Sequence, residues 1–230
     1  MIDQNVMKAA AVRRKEVYAV LSAYYLAPPT AEMANIVASE AFVAGTHGSL
    51  GAAAREFAAA VREAAAGNPV TGSLQAEHTS LFVLPSGVVP HESYYLDENK
   101  RMGGRVTAGV QQCYENACAS MTEDCLELAD HVGVELEFMT FLCDLEEQFW
   151  NSSDVTGVQT CVDLQRSFLE DHLLRWHRPL CEKILAEASL DLFQALARLT
   201  IEFLESERAH VSNLCEQVCT EGRKLCECAS

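Results

Sequence analysis

The sequence predicts an all-α protein, a single-domain helical bundle with a long ordered loop between its N- and C-terminal halves. Three observations predict it. Apolar residues recur at helical spacing through nearly every segment, as Val17, Leu21 and Tyr24 do near the start. Proline and glycine gather between these segments. Residues 84–104, which hold Pro85, Gly87, Pro90, Gly103 and Gly104, have no clear period. A loop of that length inside a compact domain is functional or disordered. Phe82, Tyr94, Tyr95 and Met102, within or beside it, supply apolar anchors and favour an ordered, functional loop.

The elements follow in order. A first helix spans about residues 6–26 and stops before Pro28-Pro29, because a residue preceding proline leaves the α region. Thr30 is placed to cap a second helix, with Glu32 in its first turn. An alanine-rich helix covers about 49–66 and ends near Gly67 and Pro69. Ser73 suits the cap of a short helix containing residues 75–83. Within the loop, Val88-Val89 and residues 93–96 are candidates for a short strand, although no partner strands are in sight. Helices resume at about 106–120. A central helix starts between residues 125 and 130 and runs to about 150. Ala129, Val132, Leu136, Met139, Cys143 and Trp150 form one stripe on it, and Val134, Phe138, Phe141, Leu145 and Phe149 a second. Two stripes imply burial on most sides, hence a place at the middle of the bundle. Segments 157–172 and 172–188 follow, with Pro179 at a helix start or a kink. Ser189 is placed to cap the last helix. No internal repeat is visible, and residues 1–230 read as one domain.

Composition narrows the function. Of 230 residues, 49% are apolar, enough for a sizeable core. Seventeen Lys and Arg against 33 Asp and Glu give a net charge of −16, which argues against nucleic acid as a partner and permits a cationic one, although charge alone is accounted for by solubility. No run of 18 apolar residues exists, so no stable membrane insertion is expected. Arg13-Arg14 ahead of residues 17–27 imitates an export signal. Glu16, Ser22, Tyr18, Tyr24 and Tyr25 make that stretch too polar for one, which points to the cytoplasm. Ten cysteines in a long chain without such a signal read as reduced thiols. Cys113, Cys118, Cys125, Cys143, Cys161 and Cys181 are scattered as small buried hydrophobes would be.

The most informative string is Asp130-His131-Val132-Gly133-Val134-Glu135-Leu136-Glu137-Phe138-Met139, which places three ionisable groups at or near the start of a buried helix. It resembles the DHxxxELxFM signature of the TorD/DmsD/NarJ group of redox-enzyme maturation chaperones. Four further segments resemble the same family in the same order. They are Arg14-x3-Tyr18-x2-Leu21-Ser22-x2-Tyr25-x2-Pro28; Glu77-His78-Thr79-Ser80-Leu81-Phe82-Val83, like its EYxxLFV element with His78 for tyrosine; Pro90-His91-Glu92-Ser93-Tyr94-Tyr95, like its P-x-E-S-x-Y loop; and, more weakly, Phe168-Leu169-x2-His172-Leu173-x2-Trp176. Ala129 stands where the family often has proline, and the cysteine-rich stretch 213–230 is outside the pattern.

The resemblance implies a non-enzymatic cytoplasmic chaperone without a resident cofactor. It would bind the twin-arginine signal peptide and the catalytic subunit, in its apo form, of a molybdenum or tungsten oxidoreductase before export. It also implies that Leu81, Phe82, Pro85, Pro90, Glu92, Ser93, Asp130 and His131 surround a peptide groove. Asp130 at a helix start, and Glu92 in the loop, would suit arginine. His131 and Glu135, four apart, would share a face. The blander alternative is that these groups only satisfy a helix start. Of the catalytic motifs, the sequence has no G-x-S-x-G, P-loop or Rossmann glycine pattern. His131 and Glu135 lack a third ligand for zinc. The rival signal is Cys215-x3-Cys219-x6-Cys226-x-Cys228, four thiols able to hold zinc or an iron–sulfur cluster in a redox-responsive protein. Its spacing matches no standard site, and its last pair requires a break in the helix.

Overall fold

The computed structural model describes residues 3–44, 46–66 and 70–228, and of residues 70–72 and 221–228 the backbone alone. Helix α1 (Gln4–Leu26) begins at Asp3, whose carboxylate accepts the N–H groups of Asn5 and Val6. It ends at Ala27, ahead of the two prolines. Helix α2 (Ala31–Ala38) is capped by Thr30 as its sequence indicates, and α3 (Glu40–Val43) by Ser39. Helix α4 (Gly48–Ala66) is the alanine-rich segment. Helix α5 (Val70–His78) passes into a π-helical turn, Thr79–Val83. Ser73 therefore lies inside α5 and does not cap it.

The 84–104 loop contains one helical turn, α6 (Glu92–Leu96), where a strand was the alternative. Helix α7 (Arg105–Asn116) follows. Residues 117–131 are not helical, so α8 (Val132–Ser152) starts later than its apolar stripe implies. Asp154 caps α9 (Val155–Phe168), which runs through a second π-helical turn (Leu169–Leu173) into α10 (Leu174–Glu187). Pro179 sits inside α10. Helix α11 (Asp191–Cys228) is continuous, with no break before Cys228. The cap expected of Ser189 is supplied from elsewhere. Glu77 on α5 accepts the N–H groups of Ser189 at 2.5 Å and Leu190 at 3.0 Å.

Helix α1 lies along α8, and α11 packs on α4, α9 and α10. Tyr18, Leu21, Tyr24 and Tyr25 of α1 meet Leu136, Met139 and Leu142 of α8 and Phe193 and Leu196 of α11 in a single core. The α1–α8 contact is close. A Cβ at Gly133 would lie 2.5 Å from Leu26 Cγ, and Ser22 Oγ–H donates to the Gly133 carbonyl at 2.8 Å. The end of α1 is thereby locked to the first turn of α8. The cysteines divide. Cys143, Cys161 and Cys181 are buried, but Cys113 and Cys125 are half-buried and Cys118 is exposed. Residues 211–218 are docked, since Val211, Leu214, Cys215 and Val218 are buried.

A charge lies at the centre of this core. Arg14 is buried, with Nη1 2.7 Å from Glu146 Oε2 and Nε 2.8 Å from Glu207 Oε2. Its Nη2 donates to Gln165 Oε1, and Gln165 Nε2–H donates back to Glu146 Oε2 at 2.9 Å. One guanidinium thus joins α1, α8, α9 and α11. Removing it strands two buried carboxylates, which costs about 3–5 kcal/mol. Arg14→Met is expected to lower the unfolding free energy in urea by that amount. Arg14→Met with Glu146→Leu and Glu207→Leu is expected to recover most of the loss.

Candidate functional site

The DHxxxELxFM segment and the P-x-E-S-x-Y loop form one knot. His91 and His131 make an isolated antiparallel bridge. Glu92 N–H donates to the Asp130 carbonyl, and Val132 N–H to the Pro90 carbonyl, both at 2.9 Å. Asp130 Oδ2 accepts the Ser93 N–H at 2.9 Å, so the carboxylate starts α6. Ser93 Oγ accepts the Gly103 N–H at 3.1 Å and gathers the far end of the loop. His131 is the N-cap of α8, its Nδ1 accepting the Gly133 N–H at 3.0 Å.

The acids of this knot face inward. Asp130, Glu92 and Glu135 are at most 1% exposed. Burial alone would raise the Asp130 carboxyl. Its neighbours His91 and Ser93 outweigh that and hold it at about 2. Burial, reinforced by the adjacent His91, pushes His131 down to about 3, so its imidazole is neutral. Glu92 pairs with His172, Nδ1 lying 2.9 Å from Oε2 and 3.2 Å from Oε1. Glu135 accepts from Trp176 Nε1 at 3.2 Å. Burial beside the Glu92 charge places its carboxyl well above the usual carboxylate range. Glu135 does not pair with His131; the four-residue spacing is occupied by other partners.

Beside the knot lies an apolar cavity of about 320 Å³. Tyr114 and residues 118–122 with Cys125 form one wall, and Val134, Glu137, Phe138 and Phe141 of α8 the other. Tyr114 O–H donates to the Ala129 carbonyl at 2.7 Å and fixes the wall to the knot. Glu137 is exposed on the rim. The second stripe of α8 is thus only partly covered, with Phe141, Leu145 and Phe149 half-buried. Its outward face is the floor of a groove. The nearby Leu126 and Leu128 are exposed, Leu126 at 95%, on either side of Glu127.

The structure brings Pro90, Glu92, Ser93, Asp130 and His131 together. It sets Leu81 and Phe82 in the core, where Phe82 meets Tyr25 and Phe193 edge-on at 5.6 and 6.0 Å. Pro85 is exposed on the intervening turn. That turn folds back on the π-helical turn through Val88 N–H to the Leu81 carbonyl at 2.7 Å, an approach that only Gly87 permits, as a Cβ there would lie 2.2 Å from the Ser80 carbonyl oxygen. Tyr114, Met121, Glu137 and Phe141 were not singled out as site residues by sequence reasoning. The signal for the last lay in the double stripe of α8. Of the rival cysteines, Cys215 approaches Asp163 at 3.5 Å, and Cys219 accepts from Gln159 at 3.4 Å. The side chains of Cys226 and Cys228 lie outside the described residues. Among the described residues, no group of three or more His, Cys, Asp or Glu is placed to hold a metal ion.

These features define an all-helical protein whose polar residues brace an apolar groove. The chain belongs to the nitrate reductase delta subunit family, which includes the TorD and NarJ chaperones and whose sequence model matches residues 47–182, more than half of it. It is similar to the chaperone protein TorD of Vibrio cholerae, 21% identical over 146 residues, which are 63% of this chain and 64% of the relative. It is also similar to TorD of Photobacterium profundum, 25% identical over 59% of this chain and 62% of the relative, and to TorD of Vibrio parahaemolyticus, 22% identical over 89% and 97%. The chain thus spans just under two thirds of the length of the Vibrio cholerae relative. No helix among the described residues is long and apolar enough to cross a membrane.

The depressed His131 has a consequence for stability. A histidine whose folded value is lowered contributes stability that is present above its unfolded value of about 6.5 and is lost as pH falls toward about 3. His131→Asn keeps a capping side chain and removes the titration. Urea unfolding at pH 7, 6, 5 and 4 is expected to show a smaller decline in the variant, the difference approaching about 1.4 kcal/mol per pH unit at most. Parallel declines would mean that the His131 ring reaches water as the protein acidifies.

Proposed function

We propose that the protein is a cytoplasmic chaperone that binds the twin-arginine signal peptide and apo-form of a molybdenum or tungsten oxidoreductase, and that it works by binding alone. The carrying observation is the open apolar cavity built on α8 within the family signature, with the acid Glu137 on its rim. Its size is at the lower end for ligand pockets, suited to a few side chains. The net charge of −16 favours approach of a peptide bearing arginines.

Magnitudes divide the work. Each leucine-like side chain buried contributes roughly 1.5–3 kcal/mol. Ordering a disordered peptide costs about 2–5 kcal/mol or more. An exposed ion pair such as Glu137 with arginine adds about 0.2–1 kcal/mol. Apolar contact therefore carries affinity, and the acids set orientation and encounter rate. Asp130, Glu92 and Ser93 act behind the surface in this reading. They hold the loop against α8, and through Ala129 they hold Tyr114 at the groove.

Calorimetric titration with the client's signal peptide tests the reading. Phe141→Glu is expected to weaken binding tenfold or more, and Glu137→Lys by a few-fold. Raising salt is expected to leave most of the wild-type affinity. Affinity unchanged in Phe141→Glu removes the cavity from the site. Collapse of binding at high salt would show that charge, not apolar burial, holds the peptide.

A further inference from the structure

Cys113 on α7, His172 in the second π-helical turn and Glu92 at the start of α6 form a line of three groups. Cys113 Sγ is 3.4 Å from His172 Nε2. The opposite ring nitrogen is held by the Glu92 carboxylate at 2.9 Å. A nucleophile, a base within reach of it and a third group orienting that base are the arrangement that activates a thiol. The ring is further fixed by stacking on Phe168, centroids 5.0 Å apart at 30°. Gly109, one turn before Cys113, lies against the same ring, a Cβ there standing 4.0 Å from His172 Cε1.

Burial would lower His172, but the Cys113 sulfur and the Glu92 charge outweigh it and lift the imidazole to about 9. When protonated, the ring thus places a cationic Nε2–H 3.4 Å from the sulfur. The core thiols have the opposite setting. Burial pushes Cys161 and Cys181 up to about 12. Cys113 is half-buried, so a small reagent has access to it.

We propose that Cys113 is a redox-reactive thiol, with His172 as its proton partner and Glu92 as the positioning residue, and that its substrate class is small hydroperoxides. The reacting form is the ion pair of a Cys113 thiolate and a His172 imidazolium whose Nε2 proton came from the thiol. The thiolate attacks one peroxide oxygen, the S–O bond forms and the O–O bond breaks. The imidazolium proton goes to the departing oxygen, hydroxide or alkoxide, giving water or an alcohol. The sulfur is oxidised by two electrons to a sulfenic acid and the peroxide is reduced by two. Cys113 precedes Tyr114 on α7, and Tyr114 walls the cavity, so oxidation at Cys113 is expected to alter the groove through a shift of α7. This coupling rests on the function proposed above; the reactivity does not.

The test treats the full chain with hydrogen peroxide, traps sulfenic acid with dimedone and maps the adducts by mass spectrometry. Cys113 is expected to be trapped faster than Cys118 and Cys125, and at least tenfold faster than in His172→Asn, with Cys118 unchanged between the two proteins. Glu92→Gln is expected to fall between them. If His172→Asn does not fold, the wild type suffices, because the advantage of Cys113 over Cys118 should vanish in urea. Equal trapping of Cys113 with and without His172, or a Cys113 slower than Cys118 in the folded protein, overturns the proposal. A reactive Cys113 whose oxidation leaves signal-peptide affinity unchanged overturns only the coupling to the groove.

Discussion

The whole bundle closes around one guanidinium. Arg14 enters the core from α1 and meets carboxylates from α8 and α11 and an amide from α9. A buried charge is costly unless fully partnered, so these helices have one mutual arrangement that satisfies it and few that nearly do. Apolar packing drives the helices together without specifying register. The ion cluster discriminates among packings of similar burial, and the glycine contact of Gly133 with Leu26 then sets how closely α1 lies on α8.

The same economy of charge shapes the site. In most binding sites acids are displayed, yet here Asp130 and Glu92 are spent internally. Asp130 binds the Ser93 N–H in the first turn of α6, while Glu92 binds an imidazole. Their contribution to the surface beside them is therefore geometric. The open surface over the cavity is apolar, flanked by exposed acids that are few in number beside the cavity but numerous over the molecule.

Periodicity and punctuation made the helices legible, because α1, α4 and α8 each bury a face and proline or glycine stands between segments. The start of α8 was not legible. Leu126, Leu128 and Ala129 continue the apolar spacing, but Leu126 and Leu128 are exposed, and the chain is instead held by the bridge to His91. The π-helical turns leave no mark in composition, as they shift phase by one residue while keeping the same residue types. The candidate site was legible as five segments and not as contacts. Which acid is buried depends on partners such as Ser93 for Asp130 and His172 for Glu92, 37 and 80 residues away. The groove was missed because a stripe of Val134, Phe138 and Phe141 reads the same whether it is covered or half open.

The reach of Arg14 across the chain also has a cost in time. Its partner Glu207 lies 193 residues later, and Glu146 lies 132 residues later. During synthesis α1 leaves the ribosome long before either exists, and at about 5–20 residues per second that interval lasts on the order of ten seconds or more. Through it the first helix presents an apolar face and an unpaired cation with nothing to receive them. The N-terminal helix thus passes through a stage in which it needs protection of its own, and any shortened translation product ending before α11 would keep that helix exposed to proteases.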